Sequence, residues 1–145
     1  MKVLVQSFSF RRTGYPKDEV GKGGGFVFDC RAIDVFDDPD RGERRAPFPF
    51  MHLTGKDSPV IDALDKNPRA QIFFNSVWTL VELNIERCIE LGYEHVTVNF
   101  GCVGGQHRSV YMAERLTRRI GLFFPRDKVV VELKHLERAH WPGVV

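Results

Sequence analysis

The stretch HVTVNFGCVGGQHRSVYMAERL, His95 to Leu116, constrains the fold more than any other part of this chain. In HVTVNF, Thr97 and Asn99 alternate with Val96, Val98 and Phe100, the period of a β-strand. A glycine-rich loop follows with no spacer, and a helix is expected from Ser109 to about Ile120. A strand that runs through such a loop straight into a helix belongs to an α/β architecture, whose ligands gather at the carboxyl ends of the strands. The unit at 94–120 is therefore the expected chemical centre.

The flanking sequence supplies partners for that unit. Residues 2–10, KVLVQSFSF, alternate Val3, Val5 and Ser7 against Leu4, Gln6, Phe8 and Phe10 and read as strand one. RRTGYPKDEVGKGGG reads as a loop rich in glycine and basic residues, and GFVFDCRAI as a second strand ending near Arg31. Residues 34–57 are irregular, with charges clustered in DDPDRGERR. Ser58-Pro59 reads as the N-cap and first position of a short helix through about Lys66. Pro68 opens a longer helix in which Phe73, Val77, Leu80, Val81, Asn84, Cys88 and Leu91 recur at helical spacing, with Gly92 as its stop. KVVVEL is a fourth strand, and KHLERAH a terminal helical turn or two. The expectation is a single α/β domain over residues 1–145, with flanking helices on a mixed or parallel sheet of about four or more strands.

Bulk properties limit the partners. A chain of 145 residues fits one domain with a proper core, and 43% hydrophobic with 28% charged residues is an ordinary globular balance. A net charge of +2 means that any nucleic-acid face must be local. MKVLVQSFSF is too short and too regularly alternating for a secretory signal. No apolar run approaches the ~18–20 residues of a membrane span. Cys30, Cys88 and Cys102 are widely spaced with no CxxC, which argues against a disulfide framework or a zinc site. They point to a reducing compartment, the cytoplasm. No metal or cofactor is expected.

Within the loop, Cys102 and Arg108 follow the spacing C-x5-R, completed by Ser109. Gly104 and Gly105 allow a tight turn that points successive backbone N–H groups inward as an anion nest. A helix starting at Ser109 adds its positive end, Arg108 a bidentate fork, and His107 a charge or hydrogen bond near neutral pH. Cys102, Val103, Gly104, Gly105, Gln106, His107, Arg108 and Ser109 are thus the candidate phosphate-binding residues. The same surroundings would depress the pKa of a thiol at Cys102, and C-x5-R-[ST] resembles the loop of cysteine-dependent phosphatases, with Cys102 and Arg108 as the catalytic pair. Against turnover stands Gly101, where many such enzymes carry histidine. A general acid is also required, and Asp34, Asp37, Asp38, Asp40 and Asp57 lie in a suitable segment with none marked out. A plain tight turn is the non-functional alternative for the glycines.

Several ordered blocks carry a wider likeness. GCVGGQHRSVYMAERL matches the pattern GC-x-GG-x-HRSVY-x-AE-x-L. SFSFRRTG, FVFDCR, LTGKDSPV and LKHLER match SFGFKYG, VFDVR, TG-x-D-x-PV and a basic tail containing histidine and LE. In these blocks, along nearly its whole length, the chain resembles the C-terminal domain of the RNase adapter protein RapZ. The resemblance implies a domain that dimerises, binds small regulatory RNAs and senses glucosamine-6-phosphate. It places the sugar-phosphate pocket at Val103, Gly104 and Arg108, with Val103 standing where the family has threonine, so one hydroxyl contact is lost. The family's pocket histidine has no counterpart in PDRGERRAPFPFMH, since His52 lies too close to Thr54. Full-length members carry a P-loop ATPase domain ahead of this one. No GxxxxGK[ST] occurs here, and GKGGGF at 21–26 has the wrong order. The resemblance therefore implies a free-standing domain without ATP hydrolysis. For RNA, Arg11 matches a basic family position, and Arg12, Arg44, Arg45, Arg118, Arg119, Arg126 and Lys128 could extend a basic face whose binding would depend on salt. The tail LERAHWPGVV carries little charge by comparison.

The remaining candidates read mostly as structure. Cys30 and Cys88 sit in apolar patterns as small core residues. His135 and His140 are five apart, which does not set them on one helical face, and His95 opens a strand at an edge. Phe48, Phe50 and Trp141 could stack on bases or pack a loop and tail onto the core. Asp29 and Arg31 either reach a ligand or pair with each other.

Overall fold

A computed structural model describes residues 1–18, 25–33 and 50–143. Four strands make one sheet: β1 (Lys2–Ser9), β2 (Gly25–Asp29), β3 (His95–Cys102) and β4 (Val130–His135). Their order is β2-β3-β1-β4 and every pair is parallel. Parallel neighbours need crossovers, and helices supply them. α1 (Ser58–Asp65) and α2 (Pro68–Leu91) carry the chain from β2 to β3, and α3 (Arg108–Phe123) carries it from β3 past β1 to β4.

The alternation in β1 and β3 divides the sheet into two unlike faces. Val3, Val5 and Ser7 stand beside Val96, Val98 and Phe100 in register. The apolar members of this face join Val77, Trp78, Val81 and Ile85 of α2 and Tyr111, Met112, Leu116 and Ile120 of α3 in one core. Burying each such side chain contributes about 1.5–3 kcal/mol. The other face sets polar groups beside Leu4 and Phe8. There Gln6 Nε2 donates to its register partner Asn99 Oδ1 at 3.0 Å, and Asn99 Nδ2 donates to Phe26 O at 3.2 Å. Lys2 and Lys134 flank Glu132 on the same face.

Element ends depart from the sequence reading for identifiable reasons. β2 stops at Asp29, not near Arg31, because Asp29 Oδ1 accepts from Arg31 N at 2.9 Å and turns Cys30–Ala32 into a 3-10 helix. β3 runs past Phe100 to Cys102, since Gly101 and Cys102 pair with Phe8 and Ser9 of β1. β1 itself ends at Ser9. α1 is preceded by Asp57 as N-cap, with Ser58 already helical. α3 starts one residue early, at Arg108, and continues to Phe123. β4 begins at Val130 and takes in Lys134 and His135, which the sequence assigns to a terminal helix. Leu136 N donates to Ser7 O at 2.9 Å and extends the pairing, so only Arg138–His140 forms a helical turn.

α2 keeps its expected start at Pro68 and stop at Gly92 and gains Asn67 as N-cap. Asn67 Oδ1 accepts from Ala70 N at 3.0 Å, and Gly92 closes the helix at φ 73°. Its buried stripe, however, is Ala70, Phe74, Val77, Trp78, Val81, Ile85 and Cys88. Leu80 and Leu91 are 49% and 47% exposed. The helix is apolar around more than half its circumference, and the aromatic side wins because α3 covers it. Arg115 and Arg119 of α3 lie over Phe74 at 3.9 and 5.2 Å.

Candidate functional site

β3 delivers residues 103–107 to the carboxyl edge of the sheet, beside the end of β1. Phe10 N donates to Cys102 O at 3.0 Å and keeps the two strands together one step beyond the ladder. Gly105 has φ 65°, and a Cβ there would also meet Glu137 Cγ and the backbone of Phe8 and Ser9. Gly104 faces open space. Among the described residues, no protein acceptor takes the backbone N–H of Val103, Gly104, Gly105 or Gln106. These donors stand beside the amino end of α3, whose partial positive charge favours an anion.

Three distant stretches brace this loop. From β1, Ser9 Oγ donates to Val103 O at 2.6 Å and accepts from Arg11 N and Arg12 N, each at 3.1 Å. From the segment before α1, Leu53 O and Met51 O accept from Gln106 Nε2 at 2.8 and 3.0 Å, and Gly55 N donates to Gln106 O at 2.9 Å. Gly55 permits that approach, since a Cβ would collide with His107 O and Tyr111 N. From the tail, Trp141 Nε1 donates to Gly105 O at 3.0 Å. Buried Glu137 accepts from Ser9 N at 3.3 Å and from Thr13 Oγ1.

The side chains of the motif have divided tasks. His107 Nε2 lies 2.6 Å from Phe50 O, and a carbonyl only accepts, so this nitrogen carries the proton. Burial lowers the His107 pKa, against the opposing pull of the Phe50 and Leu53 carbonyls, so it is neutral at pH 7 and bonds the 50–55 segment. Half-buried Arg108 donates from Nη1 to Ile33 O at 2.8 Å and Arg31 O at 3.1 Å, tying the 3-10 turn to α3. Its Nε and Nη2 donate to none of the described residues. Cys102 Sγ lies 3.0 Å from Ser109 Oγ, and both residues are buried. Phe8 and Phe10 rings press on Gly101, leaving no room for the histidine of a phosphatase loop.

Other candidates fall elsewhere. Asp57 Oδ2 accepts from Thr54 N at 2.7 Å and Thr54 Oγ1 at 3.2 Å. Asp34, Asp37, Asp38, Asp40, Arg44, Arg45, Phe48 and residues 21–24 lie outside the described residues. Arg11 and Arg12 are exposed beside the loop and Arg118 on α3, while Arg119 stacks on Phe74 and Trp78 at 5.2 and 5.4 Å. Arg126 and Lys128 precede β4 at the amino end of the sheet, where Lys128 O receives the Met1 amine at 2.9 Å. The basic residues therefore do not share one face. Asp29 and Arg31 pair with each other through three side-chain hydrogen bonds, Nε to Oδ1 at 2.9 Å and to Oδ2 at 3.0 Å, and Nη2 to Oδ2 at 2.7 Å. That pairing lowers the Asp29 pKa. Cys30 and Cys88 are buried, Trp141 packs the tail as that reading has it, and His95 is half-buried at the start of β3.

Sequence reasoning weighed His135 only against pairing with His140 and did not single out Glu137. Ser7 Oγ is 2.6 Å from His135 Nδ1, and His135 Nε2 is 2.9 Å from Glu114 Oε1. The hydrogen bond from His135 lowers the Glu114 pKa. This chain of contacts ties β1, β4 and α3 together under the tail. The only signal for it was the LKHLER block. Among the described residues, no group of His, Cys, Asp and Glu could hold a metal ion, and no helix is long and apolar enough to cross a membrane.

Known proteins resemble this chain over most of its length. A nucleotide-binding protein of Acidithiobacillus ferrooxidans is 42% identical over 117 residues, covering 80% of this chain and 34% of the relative. Similar proteins, also named nucleotide-binding, occur in Dinoroseobacter shibae and Neisseria gonorrhoeae. Each is 36% identical over 81% of this chain, covering 34% and 37% of the relative. The chain thus spans about a third of the length of the curated relatives it matches. A family model described as the RapZ C-terminal domain matches residues 1–138, and this chain belongs to that family.

Proposed function

We propose that the domain binds a phosphate-bearing small molecule of the amino-sugar phosphate class in the loop Cys102 to Ser109 and does not turn it over. The observation that carries this reading is the run of N–H groups from Val103 to Gln106, which have no protein acceptor among the described residues, beside the amino end of α3. The amino end of α3 favours an anion there, and Arg108 keeps Nε and Nη2 to close on its oxygens. Val103 brings no hydroxyl, so the phosphate dominates the affinity. Family membership supports the same ligand class, and the relatives' name, nucleotide-binding protein, fits recognition of a phosphate. Calorimetry with glucosamine-6-phosphate and inorganic phosphate tests the reading. Wild type should bind both, and Arg108→Ala should lose about 1.5–3 kcal/mol, the worth of hydrogen bonds to a charged group. Equal weak heats for both proteins would sink it.

The proximity of Cys102 Sγ to Ser109 Oγ, 3.0 Å, favours a second reading, a cysteine-dependent phosphatase. It requires turnover of an aryl phosphate that Cys102→Ser abolishes, with an acid to protonate the leaving oxygen. No release of product between about pH 5 and pH 7 removes it. Family membership further supports a cytoplasmic adapter that self-associates and contacts small RNA through Arg11, Arg12, Arg118 and Arg119. Filter binding across a salt series decides the RNA part, because phosphate contacts weaken as salt rises. Sedimentation decides the homo-oligomer.

A further inference from the structure

We propose that Cys30 and Cys102 form a reversible disulfide when the protein meets a hydroperoxide, a covalent latch at the foot of the loop. The placement follows from strand register. Phe26 pairs with Val98, Phe28 with Phe100, and Asp29 with Gly101. One step further along both chains stand Cys30 and Cys102. They continue the core-facing row in which the Phe28 and Phe100 rings stack at 5.6 Å. The 3-10 helix that opens at Cys30 packs against β3, and both cysteines belong to the same buried cluster. Asp29 and Gly101, the last paired residues, hold the two chains at the strand spacing of about 4.7–4.9 Å, one residue before the cysteines. A disulfide spans ~4.4–6.8 Å between Cα atoms.

Both thiols are free, and their surroundings give them different parts. Cys102 lies directly below Val103 and Gly104, which are exposed, and the Ser109 hydroxyl at 3.0 Å can donate to its thiolate. Cys30 is fully buried, and burial pushes its thiol well above the ordinary range, so it stays protonated. Arg108 holds the turn in place through Arg31 O and Ile33 O. Cys88 sits on α2 with Asn84 Oδ1 at 3.6 Å and takes no part.

The chemistry balances with a hydroperoxide as the oxidant. The Cys102 thiolate attacks a peroxide oxygen. An S–O bond forms, the O–O bond breaks and hydroxide leaves, which the proton lost from Cys102 converts to water. Cys30 sulfur then attacks the sulfenic sulfur. The S–S bond forms, the S–O bond breaks, and the hydroxyl departs with the Cys30 proton as a second water. Two thiols and hydrogen peroxide give one disulfide and two waters. Small dithiols reverse the bond by thiol–disulfide exchange. The VFDVR block that this chain resembles has valine where FVFDCR has Cys30, so the latch belongs to this chain and not to the family resemblance.

The test uses the full chain, reduced and then treated with hydrogen peroxide, and alkylated with iodoacetamide in denaturant. Before alkylation the intact mass should be lower by two hydrogens, and alkylation should then add one carbamidomethyl group where the reduced protein takes three. Peptide mapping should show the Cys30 and Cys102 peptides joined, Cys88 alkylated, and reversal by dithiothreitol. Cys30→Val, which keeps the apolar packing, should give no crosslink and a Cys102 sulfenic acid that dimedone traps. Two results would overturn the proposal: a Cys30 that remains alkylatable after exhaustive oxidation, or crosslinks that run through Cys88. The readout is a covalent bond, so it stands apart from whether the loop binds phosphate.

Discussion

Gly104 and Gly105 are neighbours with different duties. Gly105 adopts a positive φ under the Glu137 side chain, whereas Gly104 has a negative φ and empty space around it. Gly105→Ala should therefore cost about 1–3 kcal/mol in chemical denaturation, from strain and overpacking. Gly104→Ala should stay within about 0.5 kcal/mol. Similar losses in both variants would contradict the described turn. His107 belongs to the same scale. Burial lowers its folded-state pKa, while the unfolded chain protonates near the usual ~6.5. The unfolded state therefore binds more protons just below that pH. The His107 contribution is complete above ~6.5 and is lost as pH falls from there towards the folded value. Urea midpoints should decline between about pH 7 and pH 5.5, and His107→Gln should flatten that decline. An equal decline in the variant would refute it. Glu114 acts in a lower window. Its pKa is depressed by His135, so its contribution is present above the ordinary carboxylate value and disappears as pH falls through the folded one.

Among the elements, α2 gives the sharpest contrast between pattern and packing. Phe74 is fully buried beneath Arg115, while Leu80 is 49% exposed. Phe74→Ala should cost about 3–5 kcal/mol. Leu80→Ala should change stability by no more than about 0.5 kcal/mol. Urea unfolding of the two variants checks both, and a larger loss for Leu80→Ala would place the buried stripe where spacing alone puts it. The sequence makes the helix legible, because Asn67, Pro68 and Gly92 act locally. It does not select the stripe, because that choice is made by α3. The same division holds at the loop. The alternation of β3, the glycines and the α3 start are local and readable. The supports from Gln106 to Leu53, Trp141 to Gly105 and Glu137 to Ser9 join residues far apart in sequence, so no window contains them. The carboxyl end of β4 is illegible for the same reason: its last residues are strand only because β1 lies alongside.

For the molecule as a whole, the strand order puts β3 and β1 inside and β2 and β4 at the edges. Amide exchange should be slowest at Val5 and Val98, buried in the two central strands, and faster in β2 and β4. Slower exchange at the edges would contradict the order. The loop at 103–107 hangs from this frame by residues 9–13, 51–55 and 137–141, and none of these anchors is its sequence neighbour. It cannot assemble until the first strand, the segment before α1 and the tail have all met. Occupying the loop is then thermodynamically the same act as folding the chain. A phosphate held there at about a hundred times its dissociation constant should raise global stability by about 2.7 kcal/mol. The melting temperature should climb with ligand concentration, and the loop would then be as much a fastening for the chain as the proposed receptor for an anion.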